Sequence, residues 1–355
     1  MLLHNRIDKR VLKKQMEESN EKRVTLSFYN YANIAAPDVL RDKLYAEWSE
    51  IGVLGRVYLA KEGINAQINV PENNFEDFKT HIKSLDFLQG VRLNIAVEKE
   101  GKSFYKLKIK VRSKIVADGL EETQFDVTDK GKHVNAEEFN RLTDDPKTIV
   151  VDMRNHYESE VGHFENAILP DVDTFRDALP IVKETLQPYR DHNIIMYCTG
   201  GIRCEKASAY FKHLGFKNVH QLEGGIIKYA HEVESKGLKN KFIGKNFVFD
   251  ERLGERISED IISHCHQCGK PCDNHTNCKN DACHLLFIQC DECASKLEGC
   301  CSDECKTFIH LPENEQKNLR KKFQQKRNIF RKGRADHLKE HWLKGAKLVD
   351  NQAHS

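Results

Sequence analysis

The sequence predicts a multi-domain protein of mixed α/β and α+β class. An α+β domain comes first, then an α/β domain with a mostly parallel sheet, then a small cysteine-rich domain and a basic tail. Three observations carry this. The 355 residues allow two or three domains of ordinary size. Hydrophobic periodicity changes character near residue 134. The cysteines are also unevenly placed: ten of the twelve lie between Cys265 and Cys305, and the first 197 residues have none. The domains are expected at 23–117, 134–240 and 241–312, with a charged lead-in at 1–22, a linker at 118–133 and a basic tail at 313–355.

Within the first domain, Val24–Tyr31 reads as a strand, Pro37–Ile51 as a helix, and Val53–Ala60 and Ile64–Val70 as two strands about a turn at Gly63. Phe75–Leu85 reads as a helix, and Val91–Val97 and Tyr105–Val116 as strands. The order β-α-β-β-α-β is that of a ferredoxin-like sandwich. The stretch 118–133 is polar and turn-rich. Beyond it come helix Ala136–Leu142, strand Thr148–Asp152, helix Thr174–Thr185, strand Asn193–Tyr197, helix Glu205–Leu214 and strand Val219–Leu222. Strands separated by helices predict a parallel sheet covered on both faces.

Lys and Arg number 56 against 54 Asp and Glu, so the net charge of +2 excludes a global polycation. No apolar run approaches the 18 or so residues of a membrane span, and no apolar leader is evident. A cytoplasmic protein without a membrane partner is expected. Charge is concentrated locally. Lys106, Lys108, Lys110, Arg112 and Lys114 alternate with Leu107, Ile109, Val111 and Ser113. On a strand, period two places all five cations on one face, where a nucleic-acid backbone would neutralise them. The tail carries twelve Lys/Arg against four acids between Glu313 and Lys347, interleaved with Phe323, Phe330 and Trp342.

The chemistry centres on the strand Asn193–Tyr197, which runs into Cys198-Thr199-Gly200-Gly201-Ile202-Arg203-Cys204. Open α/β sheets bind ligands at the carboxyl ends of their strands. Two glycines let the loop curl with amides inward, the following helix adds its positive end, and Arg203 adds a full charge. A depressed Cys198 pKa is expected. Cys204 either resolves an oxidised Cys198 or packs beside it.

In the cysteine cluster, Cys265-x2-Cys268 and Cys290-x2-Cys293 are spaced as in a zinc ribbon, since a turn holding two thiolates offers half a tetrahedron. These four form the expected metal site. A second would draw on Cys272, Cys278, Cys283, Cys300, Cys301 and Cys305, with His275 and His284 in reserve. A structural zinc is expected; an iron–sulfur cluster is the alternative.

The loop CTGGIR resembles the active-site loop of rhodanese domains, whose first cysteine carries a persulfide. Val150-Val151-Asp152-Met153-Arg154, Glu158, Gly162-His163-Phe164 and Leu222-Glu223-Gly224-Gly225 resemble other motifs of that family. Asn166 and Tyr229 depart from its common glycine and tryptophan. Asp152, Arg154 and His163 read as scaffold. The first domain resembles an acylphosphatase-like fold. Glu62-Gly63-Ile64-Asn65, the stretch Cys198–Ala207 and the cysteine string together resemble the bacterial tRNA uridine hydroxylases. For Glu62–Asn65, the simpler reading is a hairpin turn. The resemblance implies an oxidoreductase that uses molecular oxygen to convert the wobble uridine of tRNA to 5-hydroxyuridine, with Cys198 and Arg203 catalytic. It implies tRNA as partner and an electron donor that the sequence does not name; no flavin or nicotinamide motif is present. A persulfide-based sulfurtransferase and a non-catalytic tRNA-docking module are the alternatives.

Overall fold

The computed structural model describes residues 7–98, 103–120, 125–323 and Leu338. Helix α1 (Lys9–Glu18) precedes the first domain. That domain comprises β1 (Arg23–Tyr31), α2 (Pro37–Ile51), β2 (Leu54–Ala60), β3 (Gly63–Pro71), α3 (Phe75–Ser84), β4 (Asn94–Ile95) and β5 (Leu107–Val111). The sheet order is β4-β1-β3-β2-β5, with β2 and β5 parallel and the other pairs antiparallel. Alternation decides its two faces. Leu26, Phe28, Val57, Ile64 and Ile68 pack with Leu44, Trp48 and Phe78 beneath the helices. The opposite face is polar, carrying Ser27 and Tyr29 from β1, Asn65 and Gln67 from β3, and Arg56 and Tyr58 from β2. At the β2–β3 turn, a Cβ on Gly63 would lie 2.0 Å from the Asn30 carbonyl oxygen at φ +142, so only glycine fits.

Two expected strands are shorter than the pattern implied. Val91–Val97 contributes only β4. Tyr105–Val116 contributes only β5, which corrects the five-cation face. Lys108 and Lys110 are exposed on the polar face, in register with Arg56 and Tyr58. The sheet ends at Val111, and Lys114 turns inward to Asp118 at 2.8 Å.

The second domain comprises β6 (Lys132–Val134), α4 (Ala136–Thr143), β7 (Thr148–Asp152), α5 (His156–Ser159), β8 (Gly162–Phe164), α6 (Phe175–Leu186), β9 (Asn193–Tyr197), α7 (Ile202–His213), β10 (Asn218–Leu222) and α8 (Gly225–Lys236). Its sheet is parallel throughout, in the order β6-β10-β9-β7. Ile194 and Met196 pack on one face with Leu179 and Phe211; Ile195 and Tyr197 pack on the other with Phe139 and Tyr229. Edge strand β6 begins inside the stretch read as a linker and ends one residue into the expected second domain. Three residues are too few to show a period, and it exists only because β10 pairs with it. Helix α7 starts at Ile202, three residues earlier than expected, so Arg203 and Cys204 belong to its first turn.

Strands β11 (Phe242–Asn246) and β12 (Glu255–Arg256) extend from β8, tying the cysteine-rich segment to the second domain. A hairpin of β13 (His275–Asn277) and β14 (Leu286–Ile288) follows, then α9 (Asp291–Lys296), α10 (Asp303–Ile309) and α11 (Glu313–Phe323). Of the tail, Lys317 and Arg320 pair with Glu313 and Asp281; the cations from Lys326 to Lys347, with Phe330 and Trp342, lie outside the described residues. No described helix is long and apolar enough to cross a membrane.

The first two domains are joined through buried charge. Lys206 Nζ lies 2.6 Å from Asp118 and 2.8 Å from Glu62, and Glu62 also accepts the Ile115 amide at 2.7 Å. Glu205 accepts from Tyr29 Oη at 3.0 Å and pairs with Lys130 and His133. Burial pushes the Glu205 carboxyl up, but the partners His133 and Lys130 outweigh it and hold it at about 2. Replacing Lys206 by Met leaves Glu62 without a cation and Asp118 with Lys114 alone. The expected loss is about 3 kcal/mol in urea unfolding, because removing one partner of a buried pair leaves uncompensated charge. A loss below about 0.5 kcal/mol, as for an exposed pair, would contradict this reading of the clamp.

Candidate functional site

Three strand ends meet at Cys198. The chain leaves β9 into the loop 198–201, and the Gly201 amide donates to Cys198 Sγ at 3.1 Å. The double glycine after β10 packs beneath the loop. Ile226 N–H donates to the Cys198 carbonyl at 3.0 Å, and a Cβ on Gly225 would lie 2.4 Å from that oxygen. After β7, Asp152 and Arg154 form a fully buried pair, and Arg154 also donates to the carbonyls of Glu158 and Gly162. Their contacts tie loops together and do not reach the sulfur.

Burial pushes the Cys198 thiol up. A hydrogen bond from the Cys204 thiol, the charge of Arg203 and the amides of Arg203 and Gly201 outweigh it, and the pKa falls to about 6. Burial and the neighbouring anionic sulfur push Cys204 well above its ordinary value, so it stays a protonated donor. Arg203 does not project a free guanidinium. Its two terminal nitrogens grip Glu158 at 2.7 and 2.8 Å, and Glu158 is wholly buried. Arg203 acts on the sulfur by charge while Glu158 fixes its position.

Cys198 is only 1 % exposed, yet it lines a cavity of about 560 Å³. The floor is Cys198, Thr199 and Gly200. The polar sheet face of the first domain closes it from above, with Asn94 Nδ2 donating to the Gly200 carbonyl at 3.3 Å. Phe249 and Arg252 of the cysteine-rich segment form a side wall. Thr199 Oγ1 and Asn94 Oδ1 are buried without a hydrogen-bond partner among the described residues. Buried polar atoms of this kind are costly unless a ligand satisfies them. Sequence reasoning missed this roof. The signal was the alternation of β1 and β3, whose polar residues face away from the helices that cover the apolar side.

Of the cations expected to bind RNA, Lys108, Lys110 and Arg112 are exposed, while Lys106 and Lys114 are half-buried and Lys114 is paired.

The sulfurs of Cys265, Cys268, Cys290 and Cys293 all lie within 4.8 Å of one another, as do those of Cys278, Cys283, Cys301 and Cys305. The Cys268 and Cys290 sulfurs lie 3.6 Å apart, and those of Cys283–Cys301 and Cys301–Cys305 3.7 Å. A disulfide needs about 2.05 Å. Four thiolates about 2.3 Å from a central ion stand about 3.8 Å apart on a tetrahedron's edges. Each set can therefore hold a metal ion. Cys272 and Cys300, expected as candidates for the second, lie outside both sets, as do His275 and His284.

Residues 23–115 match the UPF0176 acylphosphatase-like domain, 135–232 the rhodanese-like domain and 243–306 the rhodanase C-terminal domain. A tRNA uridine(34) hydroxylase of Photorhabdus laumondii is 56% identical over 94% of this chain and 95% of its own length. One from Leptospira interrogans is 57% identical over 90% and 87%, and one from Yersinia pestis 56% over 94% and 94%.

The pH response of the sulfur follows from its contacts. Ultraviolet thiolate absorbance, taken as the difference between the protein and Cys198→Ser, should rise through a midpoint near pH 6. Cys204→Ala removes a donor to the anion and should move that midpoint upward. A midpoint at the ordinary thiol value in the unaltered protein would refute the assignment.

Proposed function

Because the chain belongs to the family of the tRNA uridine(34) hydroxylases, we propose that it is a cytoplasmic oxidoreductase converting the wobble uridine of tRNA to 5-hydroxyuridine with molecular oxygen. The observation that supports the residue assignment is a thiolate held at about pKa 6 in a cavity large enough for a nucleobase.

Cys198 is the nucleophile. Its sulfur adds to electron-poor C6 of uracil, forming a C6–S bond and moving an electron pair towards C5 and O4. C5 then bonds dioxygen, and the outer oxygen takes up a proton to give a C5 hydroperoxide. Two electrons and two protons from an external reductant cleave the O–O bond, leaving C5–OH and water. Loss of the C5 proton expels the thiolate and restores the ring. Thr199 Oγ1 and Asn94 Oδ1 supply a donor for O4 and an acceptor for N3–H. Arg203 and the loop amides hold the sulfur anionic before attack and after release. The base enters unstacked from its neighbours, since a stacked ring cannot reach a sulfur this deep.

Nucleoside mass spectrometry of tRNA tests the reading. A deletion strain should lack 5-hydroxyuridine derivatives, the wild-type gene should restore them, and Cys198→Ala should not. Unchanged 5-hydroxyuridine would overturn it. Loss of 2-thiouridine instead would indicate sulfur transfer from a Cys198 persulfide, and rescue by Cys198→Ala would indicate a docking module.

Both cysteine sets are proposed to hold structural zinc, four thiolates leaving no open position for catalysis. Elemental analysis should find two zinc ions per chain. Cys290→Ser and Cys301→Ser should each lose one, with lower thermal stability; metal-free purified protein would exclude the proposal.

A further inference from the structure

A second cavity, also of about 560 Å³, adjoins the thiol cavity, and Tyr58 and Ala117 line both. We propose that it binds the nucleotide next to the reacting uridine, with Arg112 and Arg176 holding its phosphate. This rests on the reading of the thiol cavity as a uridine site.

The charge of the lining supports an anion. Lys114, Asp118, Arg112 and Arg176 are its ionisable cations and acid. Asp118 is occupied by Lys114 and Lys206, and Lys206 also serves Glu62, so two lysines balance two carboxylates. Arg112 and Arg176 are exposed, and neither has a carboxylate within ion-pair distance among the described residues. Two unbalanced guanidiniums on one concave wall suit a phosphate, whose oxygens accept their planar forks. Both arginines are held in place. Arg112 lies 5.8 Å over the Tyr58 ring. The stem of Arg176, in the first turn of α6, packs so closely on Gly119 that a Cβ there would come within 2.4 Å of it.

Sheet register supplies the path between the cavities. Tyr29, Asn65, Tyr58 and Lys110 are directly paired across β1, β3, β2 and β5 and share the polar face. The row starts where Tyr29 stands over the thiol loop, reaches the wall common to both cavities at Tyr58, and ends at the edge-strand cation Lys110. An RNA strand crossing this face places one base under Asn65 and the next residue beyond Tyr58.

The test is the affinity of a fluorescently labelled anticodon stem-loop. Arg112→Ala/Arg176→Ala should weaken binding about tenfold, and flatten the slope of log K against log salt by about 1. The Cys198 titration should stay unchanged, showing an intact fold. A methylphosphonate at one of the two phosphates flanking the uridine should weaken binding to the wild-type protein and add no penalty in the double variant. Unchanged affinity in the double variant, or a methylphosphonate penalty that persists there in full, would overturn the site. Binding is read without turnover, so a wild-type protein that binds the stem-loop but forms no 5-hydroxyuridine counts against the reaction and leaves the subsite standing.

Discussion

The structure depends on keeping one sulfur anionic in a place that burial alone would make neutral. Desolvation opposes the Cys198 thiolate, and four nearby groups reverse it: the Cys204 thiol, the Arg203 charge, and the amides of Gly201 and Arg203. Each needs its own support. Cys204 and Arg203 are set by the first turn of α7, whose start depends on the curl at Gly200 and Gly201. Arg203 needs Glu158, because an unpaired buried guanidinium is itself costly. The loop needs the Gly224-Gly225 platform beneath it. The sequence motifs at 152–154, 158, 198–204 and 222–225 are thus parts of one electrostatic arrangement.

The first domain completes this arrangement by acting as a lid. A parallel sheet with helices on both faces leaves its strand ends open to water. Here the polar face of a second sheet covers them, anchored by Lys206, Glu62 and Asp118 on one side and by Glu205, Tyr29 and His133 on another. All these anchors are charged or polar. Water exclusion strengthens the interaction of the sulfur with its donors.

How much was legible follows from how far apart cooperating residues lie in the chain. The thiol loop and the first cysteine set were legible because their chemistry is packed into a few consecutive residues or a repeated two-residue spacing. Glu158 and Arg203 are 45 residues apart, and no local pattern announces their pairing. The alternation of β1 and β3 showed two unlike faces, but what covers the polar one is a tertiary fact. The cation stretch misled for a related reason: period two continues to Lys114 in the sequence, while the pairing of β5 with β2 ends at Val111. Spacing also overcounted the second cysteine set. Cys272 and Cys300 are adjacent in sequence to chosen ligands or hairpins, yet the folded hairpin brings Cys278, Cys283, Cys301 and Cys305 together without them.

The cysteine-rich segment bears on the thiol through packing. Past β11 its described strands are two or three residues long, too little secondary structure to build a core of their own. Cys265 of the first cage packs in one cluster with Phe247, Leu286, Ile288 and Tyr157. Tyr157 and Phe247 meet edge to face with ring centroids 5.4 Å apart, and His266, next to the cage, bonds Glu160 at 2.8 Å. Both contacts fall on helix α5 or the residue capping it, which carries Glu158. The cage therefore braces the short helix whose glutamate positions Arg203 against the sulfur. A four-residue helix cannot hold such a position through its own hydrogen bonds. The cysteine set, remote from the cavity floor in sequence, thus supports the charge that holds the Cys198 sulfur anionic.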